Sequence, residues 1–247
     1  MLNDPLFWAV AVPAVLLFGL AKSGFGMGFG ALATPLLALA MPVSQAVAIM
    51  LPLLTLMDAF GLAALWQHRD RALLRLLLPA GLLGTAIGTL LFGLLPTSVV
   101  AGIVGATTLA FLAIRLFFPP HADAPPAPRA LGFVLGTVSG FTSFVAHAGS
   151  PPIGFYVLPL KLPPLAFAAT MSVFFAAINL AKWIPYAGLG LFNIDGLTAS
   201  LALAPLAPVG VWLGVRFARR VSPVVFYRLF HVGMLLTGCK LLWDGLR

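Results

Sequence analysis

The chain is poor in charge and poorest in acid. It holds six aspartates, no glutamate and 14 lysines and arginines in 247 residues, so that 8% of the chain is charged. One cysteine, Cys239, excludes an internal disulfide and a cysteine pair for metal or redox work. There is no His-Glu-x-x-His pair for zinc, no Gly-x-Ser-Gly nucleophile site and no phosphate-binding loop for ATP. These absences argue against an enzyme and against any cofactor or metal. The N-terminus, Met1-Leu-Asn-Asp-Pro5, lacks the basic flank and small-residue cleavage site of a secretory signal, so the first apolar run is expected to stay in the mature protein. The net charge of +8 does not form a basic stripe. Its residues are scattered through short breaks beside apolar runs, as the positive-inside rule expects, which speaks against nucleic acid as a partner.

What the chain has in abundance is apolar surface. Hydrophobic residues make up 61% of it, in runs over 6–40, 43–66, 72–94, 97–118, 130–158, 163–187, 196–216 and 222–245. Runs above about 18 residues read as membrane spans. The expected class is an all-α polytopic membrane protein with about eight spans, multi-pass, with lipid as its surroundings.

One segment is not membrane: the proline-rich stretch from Phe118 to Arg129, a solvated and semi-rigid connection. It divides the chain into membrane repeats 1–118 and 130–247, joined by the linker 119–129. Pro79, Gly84 and Gly88 recur as Pro205, Gly210 and Gly214, a shift of about 126 residues. Each half then has the same order of elements: a glycine-rich broken span, a span holding a charge (Asp58, then Lys182), the proline–glycine span, a short break and a final span. Arg69, Arg71 and Arg75 put the break after the second span in the cytoplasm, and Arg115 and Arg129 do the same for the linker. Arg216, Arg219 and Arg220 join them there only if the broken fifth span turns back as a re-entrant hairpin or crosses twice. The halves then run in opposite orientation, an inverted repeat of the kind secondary transporters use.

The broken spans carry the candidate chemistry. Gly19 to Pro35 places five glycines and Lys22 inside a continuous apolar run. Glycine costs a helix about 1 kcal/mol relative to alanine, and a charge at the bilayer centre costs ~2.5 kcal/mol or more. Opened backbone at membrane depth is tolerated only where it is buried in protein or lines a cavity. In the second half, Gly136 to Gly154 contains His147 and the helix-breaking Pro151 and Pro152. Amides freed at such a break, with the hydroxyls of Thr142, Ser143 and Ser150, suit an anionic oxygen. The competing account is that small residues merely allow close helix packing. Lys182 is either a site residue or an interfacial anchor snorkelling beside Trp183 and Tyr186. Asn179, three residues earlier, shares its helix face. Asp58, the only acid inside an apolar run, either neutralises Lys22 or Lys182 or carries a proton. His147 is a proton-coupling group or a fixed hydrogen-bond donor. His231 and Lys240 read as interfacial.

Three motifs together resemble the TauE/SafE family of sulfite and organosulfonate exporters: Lys22-Ser-Gly-Phe-Gly-Met-Gly-Phe-Gly30 with Pro35, His147-Ala-Gly-Ser-Pro-Pro152, and Asn179-Leu-Ala-Lys-Trp-Ile-Pro-Tyr186. The first is less dense in glycine than in many members. The resemblance spans essentially the whole chain. It implies export of a small sulfur-containing or organic anion, and it favours the site role for Asn179 and Lys182. The expected substrate-binding residues are Lys22, Ser23, Gly26, Gly28, Gly30, His147, Gly149, Ser150, Asn179 and Lys182, with Asp58 and His147 as candidates for ion coupling. Without an ATP site, transport is expected to draw on the proton gradient or the membrane potential. An anion channel is the first alternative, and an intramembrane enzyme or assembly factor using His147 the second. A homodimer stays open.

Overall fold

The computed structural model describes residues 2–20, 22, 30–92, 94, 96–118, 127–160 and 162–218, and from the last segment 232, 235–236, 238–240, 242–243 and 245–246. Among these residues the chain is helical, with no strand. Within a bilayer a helix satisfies its own backbone polar groups, so a chain this apolar has few alternatives. The helices are α1 (Pro5–Leu20), α2 (Gly30–Leu37), α3 (Val43–Leu65), α4 (Arg71–Phe92), α5 (Thr97–Phe117), α6 (Arg129–Ala146), α7 (Ser150–Val157), α8 (Pro164–Gly188), α9 (Ile194–Leu203) and α10 (Leu206–Ala218). Among the described residues four stretches are long and apolar enough to cross a membrane: Val43–Ala63, Arg71–Phe92, Arg129–Ala146 and Ala166–Gly188. The run expected over 196–216 is not straight. It bends by 45° between α9 and α10, where Pro205 supplies no backbone donor. Pro79, which the repeat pairs with Pro205, is carried inside α4. Of the remaining expected runs, 222–245 lies mostly outside the described residues.

The second of the glycine-rich runs is broken where its composition predicts; for the first, α1 reaches Leu20 and α2 opens at Gly30, and the stretch between them, Lys22 apart, lies outside the described residues. The second ends α6 at Ala146 and restarts as α7 at Ser150. The chain leaves α6 through His147 at φ 53°, the single left-handed non-glycine residue among those described. It then doubles back: the ring of Tyr156, near the end of α7, fills the space that a side chain on Gly132, at the start of α6, would need. The second broken run is therefore a helical hairpin.

Three crossings organise the rest. α3 and α8 cross antiparallel at the centre, with Thr55 against Trp183, Asp58 against Asn179 and Gly61 against Ser172. Flanking them, α1 packs on α10 and α4 packs on α6. Both contacts depend on absent side chains. A Cβ on Gly19 would fall 2.5 Å from the carbonyl carbon of Gly210, and one on Gly140 would collide with the backbone of Gly81. Close backbone approach of this kind is how helices associate where lipid is as apolar as leucine.

Candidate functional site

The end of α1 and the turn after α6 meet at the α3–α8 crossing. The ring of Phe18, near the end of α1, sits edge-on to the imidazole of His147 with centroids 6.2 Å apart. Lys22 lies 5.8 Å from the ring centroid of Phe175 on α8. A Cβ on Gly149 would stand 3.0 Å from that ring and 2.8 Å from Cβ of Ser143, so glycine is what lets the turn after α6 lie against α8.

A continuous polar chain runs through this meeting point. Lys22 donates from Nζ to Oδ1 of Asp58, forming an ion pair. Asn179 donates from Nδ2 to Oδ2 of the same carboxylate at 2.6 Å. The other end of that amide, Oδ1, accepts from Nζ of Lys182 at 3.0 Å. Spacing of three on α8 thus does what the helix geometry predicts, placing both side chains on one face. Opposite charges on either side fix the orientation of the amide, its NH2 toward the carboxylate and its oxygen toward the ammonium.

Lys182 is wholly buried, at 0% exposure. Its ammonium also donates to the carbonyl of Ser143 at 2.7 Å, to Oγ of Ser143 at 2.8 Å and to Nδ1 of His147 at 3.1 Å. Four acceptors therefore surround three protons. The Ser143 carbonyl, which also accepts from the His147 N–H at 2.9 Å, belongs to the last turn of α6, where a cation is favoured. A neighbouring carbonyl, that of Phe144, accepts from the Tyr186 hydroxyl at 2.5 Å. The partners of His147 settle its tautomer. Nε2 lies 2.9 Å from the carbonyl of Val47, which can only accept, so Nε2 carries the proton and Nδ1 is the acceptor for Lys182. The imidazole is neutral.

The charge balance follows directly. Two ammonium groups and one carboxylate share the cluster, and His147 adds nothing. Among the described residues no other aspartate, lysine, arginine or histidine is buried. The formal excess is one positive charge.

Of the residues singled out in the sequence, Lys22, Asp58, His147, Asn179 and Lys182 are connected by these bonds. Gly149 borders them, and Ser150 opens α7, half-buried. Gly30 opens α2. Ser23, Gly26 and Gly28 lie outside the described residues. Two participants were not among the expected ligands. Ser143 supplies two of the four acceptors of Lys182, and Tyr186 caps α6. A third residue is notable for what it lacks: Oγ1 of Thr34, on α2, is buried and has no hydrogen-bond partner among the described residues. The signal for Ser143 was a hydroxyl one turn before a break. Nothing in the spacing separates Thr34 from the other small residues around it.

No curated protein and no solved structure matches the chain. A helical bundle with a broken run and the buried Lys182 at its centre agrees with the one comparison that does match: the model of the family described as sulfite exporter TauE/SafE covers residues 11–241, nearly the whole sequence, and the chain belongs to that family of membrane transporters.

Proposed function

We propose that the chain is a secondary transporter that exports a small anion, such as sulfite or an organosulfonate, across the bacterial inner membrane, and that the cluster around Lys182 is where the anion binds. The observation that carries this reading is the excess positive charge. A buried ion without a counter-charge is costly in a low-dielectric interior, and an anion held there balances Lys182 while Asp58 balances Lys22. Asn179, Ser143 and His147 are the polar groups that would orient it. The full burial of Lys182 favours a carrier with an occluded site over an open anion channel.

The energy source follows from the charge. A membrane potential of 100 mV is worth ~2.3 kcal/mol per charge moved, and with the cytoplasm negative it drives an anion outward without a co-transported ion. Asp58, engaged by both Lys22 and Asn179, serves as the counter-ion of Lys22 rather than as a proton carrier.

The inverted arrangement of halves 1–118 and 130–247 belongs to the same proposal. It is supported by the packing: α1 lies on α10 as α6 lies on α4, and α3 crosses α8 between them. With the α6–α7 hairpin returning to its side of entry, the arginines around 216–220 come to the same side as Arg69 and Arg71.

The test is flux from proteoliposomes loaded with sulfite or a sulfonate. Saturable efflux that accelerates with an outside-positive potential is expected. Flux linear in concentration would indicate a pore, and no flux of any anion would remove the transport reading.

A further inference from the structure

We infer that the site is built for an anion of a single charge, and that Asp58 sets this valence. The inference rests on the reading of the Lys182 cluster as the anion site and adds the class of anion it admits.

The charges that matter are few. Lys22 and Asp58 form a pair, Asn179 bridges that pair to Lys182, and His147 is held neutral by the Val47 carbonyl on one nitrogen and the Lys182 ammonium on the other. One anionic charge brings the cluster to neutrality. A second would leave a net negative charge, and the groups nearest to it would be wrong for it. The Ser143 carbonyl and the Asn179 oxygen are acceptors, and Asp58 is a carboxylate 2.6 Å from the Asn179 amide nitrogen. Asp58 is 3% exposed, so water does not screen it. Discrimination here arises from a repulsive element as much as from an attractive one. Removing the carboxylate raises the excess to two charges and moves the preference toward dianions. Removing both members of the pair returns the excess to one.

Methanesulfonate and sulfate are a suitable pair of probes, being similar in size and tetrahedral shape and carrying one and two charges at neutral pH. Their binding to the purified full chain in detergent is read by isothermal titration at constant ionic strength. The wild-type protein is expected to bind methanesulfonate at least about tenfold more tightly than sulfate. Asp58→Asn is expected to shift that ratio toward sulfate by about tenfold or more. The double variant Lys22→Met with Asp58→Asn is expected to return the ratio toward the wild-type value. This variant also covers the case in which Asp58→Asn alone fails to fold. Equal or tighter binding of sulfate by the wild type overturns the inference, as does a ratio unmoved by Asp58→Asn or the absence of methanesulfonate binding. Lys182→Met separates the inference from the site beneath it. Loss of both anions in that variant with an unselective wild type leaves the site standing and removes only the valence rule. Unchanged methanesulfonate binding in Lys182→Met removes the site itself.

Discussion

Removing Lys22 and removing Asp58 should have unequal costs, and the pair should be strongly coupled. Asp58 is buried at 3% exposure, and the Lys22 side chain is 16% exposed. Two unit charges about 4 Å apart interact by ~4 kcal/mol at the effective dielectric that reproduces measurements on proteins. Breaking a buried pair from one side typically costs about 3–5 kcal/mol, because the remaining charge is left uncompensated. Asp58→Asn leaves two ammonium groups with no carboxylate. It should lower stability by about 3 kcal/mol or more, which for a chain of this length is roughly 6–12 °C in Tm. Lys22→Met is milder, since Asp58 keeps its hydrogen bond from Asn179 and the net charge of the cluster falls to zero. The double variant should be more stable than Asp58→Asn alone, giving a coupling of about 2 kcal/mol or more in a double-mutant cycle. Thermal unfolding of the four proteins in one detergent, followed by scanning fluorimetry, gives the numbers. Additive effects within about 0.5 kcal/mol would mean that the two residues do not form a pair, and the charge balance drawn around Lys182 would be wrong.

Two further outcomes follow from local geometry. Thr34→Val replaces a buried hydroxyl that has no partner among the described residues with a methyl of similar shape, and an unsatisfied polar group costs about 1–3 kcal/mol. The variant should unfold at a higher temperature than wild type, and a lower one would show that the hydroxyl has a partner. His147→Gly and His147→Ala lose the same imidazole, but only alanine keeps the left-handed strain, worth about 1 kcal/mol. The glycine variant should be the more stable of the two in the same assay. Equal stability would mean that the backbone after α6 relaxes out of that conformation.

Much of the local architecture was legible in the sequence, because glycine and proline act on the backbone wherever they stand. The break at Ala146–Ser150 falls inside a stretch that composition marked. The shared face of Asn179 and Lys182 was equally readable, since it depends only on helical spacing. The partner of Asp58 was not. A buried acid requires a cation, but the choice between Lys22 and Lys182 is made by the α3–α8 crossing, which no local pattern encodes. Lys182 itself stood between a site and an interfacial anchor, and its burial against the end of α6 could not be read from Trp183 and Tyr186 beside it. The bend at Pro205 marks another limit. A proline removes one donor in both halves, yet the helix ends and bends at Pro205 while α4 continues through Pro79, so tertiary packing decides which is tolerated.

The most direct test of the account is anion efflux from proteoliposomes containing wild-type protein or Lys182→Met. The substitution keeps the length of the side chain and deletes the charge that the proposed anion would neutralise. A contact of ~4 kcal/mol in the interior, partly compensated by Lys22, corresponds to a loss well beyond tenfold. The account predicts efflux per folded protein reduced more than about tenfold at sub-saturating anion, beside a lower unfolding temperature because the acceptors of Lys182 lose their donor. Efflux at the wild-type rate from a well-folded Lys182→Met protein would contradict it, and would make Lys182 a structural cap on α6 and no part of an anion site.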